Sequence, residues 1–194
     1  DRNLLPDIYY IVPDALTSSE NLIEFFDYNN EDFANELTSK GFYIASNSKS
    51  NYMRTPLSLS SALNMQYLPD DYKKNNLNIA NNKVIELLKL YGYKYIHFNS
   101  GWSHTERNIF ADIEINCGKV DEFILILVPT TILRIIDEKF NFLRSEIRDR
   151  VLCTFLKLSE IHKIKGPKFI FSHIQSPHPP FVFGENGEQA SNTS

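Results

Sequence analysis

Three segments of the chain repeat one order: a helical stretch, a glycine and a short apolar strand. Residues 31–40 lead through Gly41 into 42–46 (FYIAS), and residues 82–91 lead through Gly92 into 93–98 (YKYIHF). Residues 144–165, read as one long helix, lead through Gly166 and Pro167 into 168–174 (KFIFSHI). Glycine just past the last helical turn takes the left-handed conformation that closes a helix. Strands that alternate with helices pair in parallel and carry the helices on their faces. A further run, 8–12 within DIYYIVPD, is unbroken, β-branched and aromatic, as in a strand covered on both sides. The expected fold class is α/β: a mostly parallel sheet with helices on both faces.

The chain has 194 residues, 42% of them hydrophobic and 13% aromatic, enough for one sizeable core. Its net charge is -4 and no Lys/Arg cluster stands out, so no nucleic-acid partner is expected. Cys117 and Cys153 are too few for a disulfide framework or a cysteine zinc site. They can form one bridge or remain two buried thiols, and the thiols are the preferred reading. Between 102 and 141 the pattern is less regular. Residues 120–136 read as an inserted helical region interrupted at Pro129, and a span of about 20 apolar residues is not reached. The opening at Asp1 is read as that of a piece of a longer protein. Residues 184–194 are polar and expected to be disordered, and the triplet Asn192-Thr193-Ser194 is set aside as a weak glycosylation match.

Candidate chemistry gathers where strands end. Asp14 lies just past Pro13, at the carboxyl edge where open α/β sheets bind ligands. Its plainer role is a turn residue, or a cap for a helix near 18–26. In SNYMRTPLSLSSALNM, Thr55 is placed as the N-cap of a helix that Pro56 begins, with its hydroxyl among backbone N–H groups that favour an anion. Leu59, Ala62 and Leu63 mark the expected buried face, and Ser58, Ser60 and Ser61 are small enough for close packing. The segment 100–108 also follows a strand, so Trp102, His104 and Arg107 can line a substrate site, or belong to a plain surface loop. His173 and His178 follow the last strand in SHIQSPHPP, where Pro177, Pro179 and Pro180 stiffen the chain. His97 and His162 are read as structural. No GxSxG elbow, HExxH helix, GxGxxG turn or P-loop is present, which sets aside the common serine hydrolase, metalloprotease, dinucleotide and NTPase readings.

Three stretches in order, PDIYYIVPDALTSSENLIEFF, NELTSKGFYIASNSKSNYMRTPLSLSSALNMQYL and PKFIFSHIQSPHPPFVF, resemble the sulfatase-like hydrolase/transferase family of the alkaline phosphatase superfamily. The chain is similar to the membrane-anchored, outward-facing members, such as phosphoethanolamine transferases and lipoteichoic acid synthases. The resemblance runs from about residue 6 to 183 and is weakest between 102 and 141. It implies that Asp14 binds a divalent metal, that Thr55 in TPLS is both nucleophile and metal ligand, and that His178 contacts the transferred group. His173 is a less certain equivalent of that contact. The family also carries an Asp-His pair on a later strand, and this sequence has none. The expectation is therefore an incomplete domain over residues 1–183, the N-terminal part of a catalytic domain, inactive alone.

What the resemblance implies is metal-dependent phosphoryl or phospho-alcohol transfer, or phosphoester hydrolysis, through a covalent intermediate on Thr55. The metal is zinc, calcium, manganese or magnesium. The substrate is a phosphorylated or sulfated lipid or glycan at the extracytoplasmic face of a membrane, reached through a segment absent from this chain. Sulfatases proper use a cysteine-derived formylglycine where this chain has Thr55, which favours phosphoryl chemistry. Ser58 is the alternative nucleophile. Two other readings stay open: a non-catalytic α/β domain that binds or scaffolds, and a sulfatase or phosphodiesterase acting on a soluble ester.

Overall fold

The computed structural model describes residues 5–70 and 77–190. Strands β1 (Ile8–Pro13), β2 (Lys94–Asn99), β3 (Ile113–Asn116) and β4 (Lys168–Ile174) form a four-stranded parallel sheet in the order β1-β4-β2-β3. The helices are α1 (Ser19–Phe26), α2 (Glu31–Ser39), α3 (Thr55–Asn64), α4 (Lys83–Leu90), α5 (Ser103–Glu106), α6 (Glu122–Thr130), α7 (Leu133–Phe140) and α8 (Phe142–Glu160). Side chains alternate across a strand, so each strand serves two cores. Tyr95, Phe169 and Phe171 face one way and pack with Leu59 and Leu63 of α3 and Ile85 of α4. Ile96, Phe98, Ile170 and Ile174 face the other way and pack with Val151 and Leu158 of α8. The expected α/β class, with a parallel sheet covered by helices on both faces, is the fold.

Glycine closes the helices as the sequence predicts. Gly41 and Gly92 take φ of 88° and 85°, and the amides that follow α2 and α4 turn back to the last helical carbonyls. The segment after Gly41 nevertheless forms no strand. Phe42 and Tyr43 are exposed, and no ladder partner for 42–46 exists among the described residues. A pleated segment without a neighbour keeps its N–H and C=O groups in water. The long helix begins at Phe142 and ends at Glu160, followed by a 3-10 turn over Ile161–Lys163. The inserted region is two helices rather than one, with α6 ending directly after Pro129. No helix among the described residues is long and apolar enough to cross a membrane.

Three further expectations are corrected. Cys117 and Cys153 are bonded to each other, with Cα atoms 5.7 Å apart, and are not free thiols. That approach comes from α8 crossing beside the end of β3, which the sequence spacing does not reveal. Ala62 is exposed, and α3 instead buries Ser60, Ser61 and Asn64 beside Leu59 and Leu63. The buried polar groups are satisfied: Asn64 donates to the carbonyls of Ser60 and Asn78, and Ser61 donates to Gln66 O. Residues 184–190 of the tail pack against neighbouring residues instead of lying free. Phe183 bridges Gln189, Gly184 N bonds Glu188 O, and Ala190 is buried. The 192–194 triplet lies outside the described residues.

Candidate functional site

Strand register explains why Asp14 and His173 meet. Val12 pairs with His173 and Pro13 with Ile174, and Asp14 N extends the ladder with a 2.8 Å bond to Ile174 O. Tyr10 and Val12 pack against the core on the α3 side, and Asp14 is two residues further along that face. Phe169, Phe171 and His173 share the same face of β4. Immediately after Asp14 the chain turns sharply, with Ala15 in the left-handed region at φ 65°. A non-glycine residue there costs about 1–2 kcal/mol, which the surrounding strand end must sustain.

Helix α3 brings its first turn onto this edge. Thr55 is the first helical residue and not the N-cap. Arg54 holds the cap position and makes no side-chain capping bond. The Thr55 side chain is thereby released from capping, and its Oγ1 donates to Asp14 Oδ1 at 3.1 Å. The other carboxylate oxygen, Oδ2, faces His173 Nε2 at 3.6 Å. The His173 side chain is fully buried, and Nε2 has no hydrogen-bond partner among the described residues. Its other nitrogen, Nδ1, lies 2.9 Å from Thr105 Oγ1, which in turn lies 2.7 Å from Ser100 Oγ. The His173 imidazole is the largest influence on Asp14 and lowers its pKa below the ordinary carboxylate value. Partial burial opposes this, while the Thr55 hydrogen bond and the charge of His178 add to the lowering.

Trp102 sets its ring edge-on to His173 at 5.3 Å and stacks on His104 at 4.5 Å. His104 is thus joined to the cluster through Trp102. Arg107 is exposed at the end of α5, and no contact among the described residues joins it to Asp14, Thr55 or His173. His178 is exposed, holds the carbonyl of Pro179 with Nδ1 at 2.6 Å, and lines a groove with Trp102, Leu125, Pro129 and Pro179. Ser58 points elsewhere, bonding Asn51 Oδ1 at 2.9 Å.

His97 is structural, as its place within a strand suggests. It lies buried between sheet and α5, with Nε2 3.0 Å from Thr105 O and Nδ1 3.1 Å from Tyr95 OH. A carbonyl only accepts, so Nε2 carries the proton and Nδ1 accepts from Tyr95. Burial pushes this imidazole down to about 4. His162 bonds Ser159 O at the helix end. Sequence reasoning missed Thr105 and Ser100, whose hydroxyls support His173. It also missed Arg150, which lies against Gly101 and Gly118, bonds Val120 O and pairs with buried Glu146.

The fold and the cluster define a parallel α/β protein with a carboxylate, a hydroxyl and a buried imidazole converging at the carboxyl edge of its sheet. No protein-family model matches the chain, and neither a curated protein nor a solved structure matches it. No group of three or more His, Cys, Asp or Glu side chains that could hold a metal ion is found among the described residues. Asp14, Thr55 and His173 present oxygen and nitrogen donors of the kinds that a divalent cation takes, and His173 Nε2 is buried without a hydrogen-bond partner among the described residues.

Proposed function

We propose that this chain carries the nucleophile side of a sulfatase-like phosphoryl or phospho-alcohol transferase, or phosphoesterase, with Thr55 as nucleophile. The observation that carries the reading is the bond from Thr55 Oγ1 to Asp14 Oδ1, between residues 41 positions apart in sequence. Asp14 and Thr55 would hold a divalent cation, and such an ion lowers the pKa of a coordinated hydroxyl and offsets charge on phosphoryl oxygens. Asp14, kept ionised, orients the Thr55 hydroxyl. Thr55 Oγ forms the new bond to phosphorus while the bond from phosphorus to the leaving alcohol oxygen breaks. The hydroxyl proton ends on that alcohol. An acceptor hydroxyl or water then attacks the same phosphorus, breaks its bond to Thr55 and restores the threonine. The first-turn amides of α3 and His178, at the mouth of the site, are suited to the non-bridging oxygens.

Two features support a lipid or cell-surface substrate. The groove beside His178 has a largely apolar lining, contributed by Trp102, Leu125, Pro129 and the proline loop. Helices α6 and α7 beside it, with the turn between them, expose Phe123, Ile126, Ile132, Ile135 and Phe140, a larger apolar surface than a soluble ester needs. The disulfide supports an extracytoplasmic setting, since such bonds persist in oxidising compartments. The test is turnover of phosphatidylethanolamine and phosphatidylglycerol vesicles by the full-length protein with zinc or manganese, against Thr55→Ala. Loss of turnover in a folded variant supports the reading. Turnover retained by Thr55→Ala moves the nucleophile elsewhere, and absence of any turnover in the wild type favours a binding or scaffold role.

A further inference from the structure

Among the described residues, the buried His173 imidazole of the site has no hydrogen-bond partner at Nε2. We propose that it is a cation ligand through Nε2, a third protein donor beside Asp14 and Thr55, and that Thr105 positions it. This differs from a contact with the transferred group, and it rests on the reading of Asp14 and Thr55 as a cation-holding pair.

The distances suit the role. Nitrogen and oxygen ligands lie about 2.0–2.2 Å from a zinc ion, so two of them in tetrahedral geometry stand roughly 3.4 Å apart. His173 Nε2 and Asp14 Oδ2 stand 3.6 Å apart, too far for a good hydrogen bond and close to the span of a shared ion. A buried ring nitrogen left unpaired costs free energy, a cost that a bound cation removes.

The surroundings accommodate the tautomer that a ligand needs. Ser100 Oγ accepts from Trp102 N at 3.0 Å and donates to Trp102 O at 3.3 Å. Its remaining lone pair takes the Thr105 hydroxyl hydrogen at 2.7 Å. Thr105 Oγ1 then accepts from His173 Nδ1–H at 2.9 Å, which leaves the lone pair on Nε2, pointing at Asp14. In the reverse arrangement Ser100 gives up Trp102 O, and Nε2–H faces Asp14 Oδ2 at 3.6 Å, longer than a good hydrogen bond. A metal-bound histidine typically donates its second nitrogen to an oxygen in this way. Thr105 is itself fixed: its carbonyl takes the Nε2–H of His97, its N–H bonds Trp102 O, and it is fully buried. The Trp102 ring edge closes the remaining side of the imidazole.

The test is a zinc titration of protein carrying ¹⁵N-labelled histidine, followed by long-range ¹H–¹⁵N spectra, with affinity read by chelator competition. The expected result is a zinc-dependent shift of His173 Nε2 with Nδ1 still protonated. Affinity falls roughly 10- to 100-fold in Thr105→Val and further in His173→Gln. If His173→Gln does not fold, the spectra of the wild type decide. Zinc binding that Asp14→Asn abolishes while His173 Nε2 stays unshifted overturns this inference and leaves the Asp14–Thr55 pair standing. Zinc binding unaffected by Asp14→Asn, or no zinc binding at all, overturns both.

Discussion

Thr55 Oγ1 donates to Asp14 Oδ1 at 3.1 Å, joining the first turn of α3 to the end of β1. The bond exists because Thr55 is one residue inside its helix, so its hydroxyl is not consumed in capping. Conversion to serine keeps the hydroxyl and should keep measurable turnover. Conversion to alanine should lower turnover by about three or more orders of magnitude, as removal of a nucleophile does, while costing only about 1 kcal/mol of stability. Steady-state rates paired with urea melts separate the two effects. A melt shifted far beyond that, with turnover intact, would make Thr55 a structural residue.

The buried His97 gives stability a pH dependence. Its folded-state pKa of about 4 lies below the ordinary 6.5, because burial disfavours the charged ring. The unfolded chain therefore takes up a proton first as pH falls. Stability is full above about pH 6.5 and declines toward pH 4 by about 3 kcal/mol from this group. Asp14, whose pKa is lowered, loses its own stabilising influence only as pH falls further, through its folded value. Urea unfolding between pH 7 and pH 4 should show this slope in the wild type and a shallower one in a folded His97→Gln protein. An equal slope in both would assign the dependence to other groups.

The Cys117–Cys153 bridge closes a loop across 36 residues and ties the end of β3 to α8. Chain entropy alone assigns such a loop about 3–4 kcal/mol. Reduction, or the double change Cys117→Ser with Cys153→Ser, should lower the melting temperature accordingly. The loop 117–120 should become sensitive to protease before the rest of the chain. A reduced protein that melts with the oxidised one contradicts the bridge.

Gly101 stands at φ 76° with the Arg150 guanidinium packed where a Cβ would go. Gly101→Ala combines an unfavourable backbone region with displacement of a buried cation from Glu146. The expected loss is about 2 kcal/mol or more, read by urea melts. The substitution should also shift Trp102 fluorescence, since Trp102 follows directly in the chain. A neutral outcome would mean that Arg150 has room to move.

Much of the fold is legible in the sequence because glycine carries backbone information. Gly41, Gly92 and Gly166 all adopt positive φ, and the strands after Gly92 and Gly166 are the two central strands of the sheet. The segment after Gly41 has the same local signature, yet pairing is a tertiary property and no partner strand lies beside it among the described residues. Strand β3 is only four residues long, too short for alternation to stand out from the irregular region around it. In the site, Asp14 and Thr55 are legible from their places at a strand end and a helix start. Thr105 is not, because a threonine in a four-residue helix looks like any surface turn residue until β2 and β4 bury it. The disulfide is hidden for a similar reason: spacing along the chain does not fix the approach of two Cα atoms.

The most direct test of Thr55 as nucleophile is mass spectrometry of its peptide after brief incubation of the full-length protein with phosphatidylethanolamine vesicles and zinc. The account predicts a phosphoethanolamine or phosphoryl adduct on Thr55 that disappears on longer incubation with acceptor and is absent from Asp14→Asn. Turnover with no adduct on Thr55, or an adduct on another residue, would contradict it.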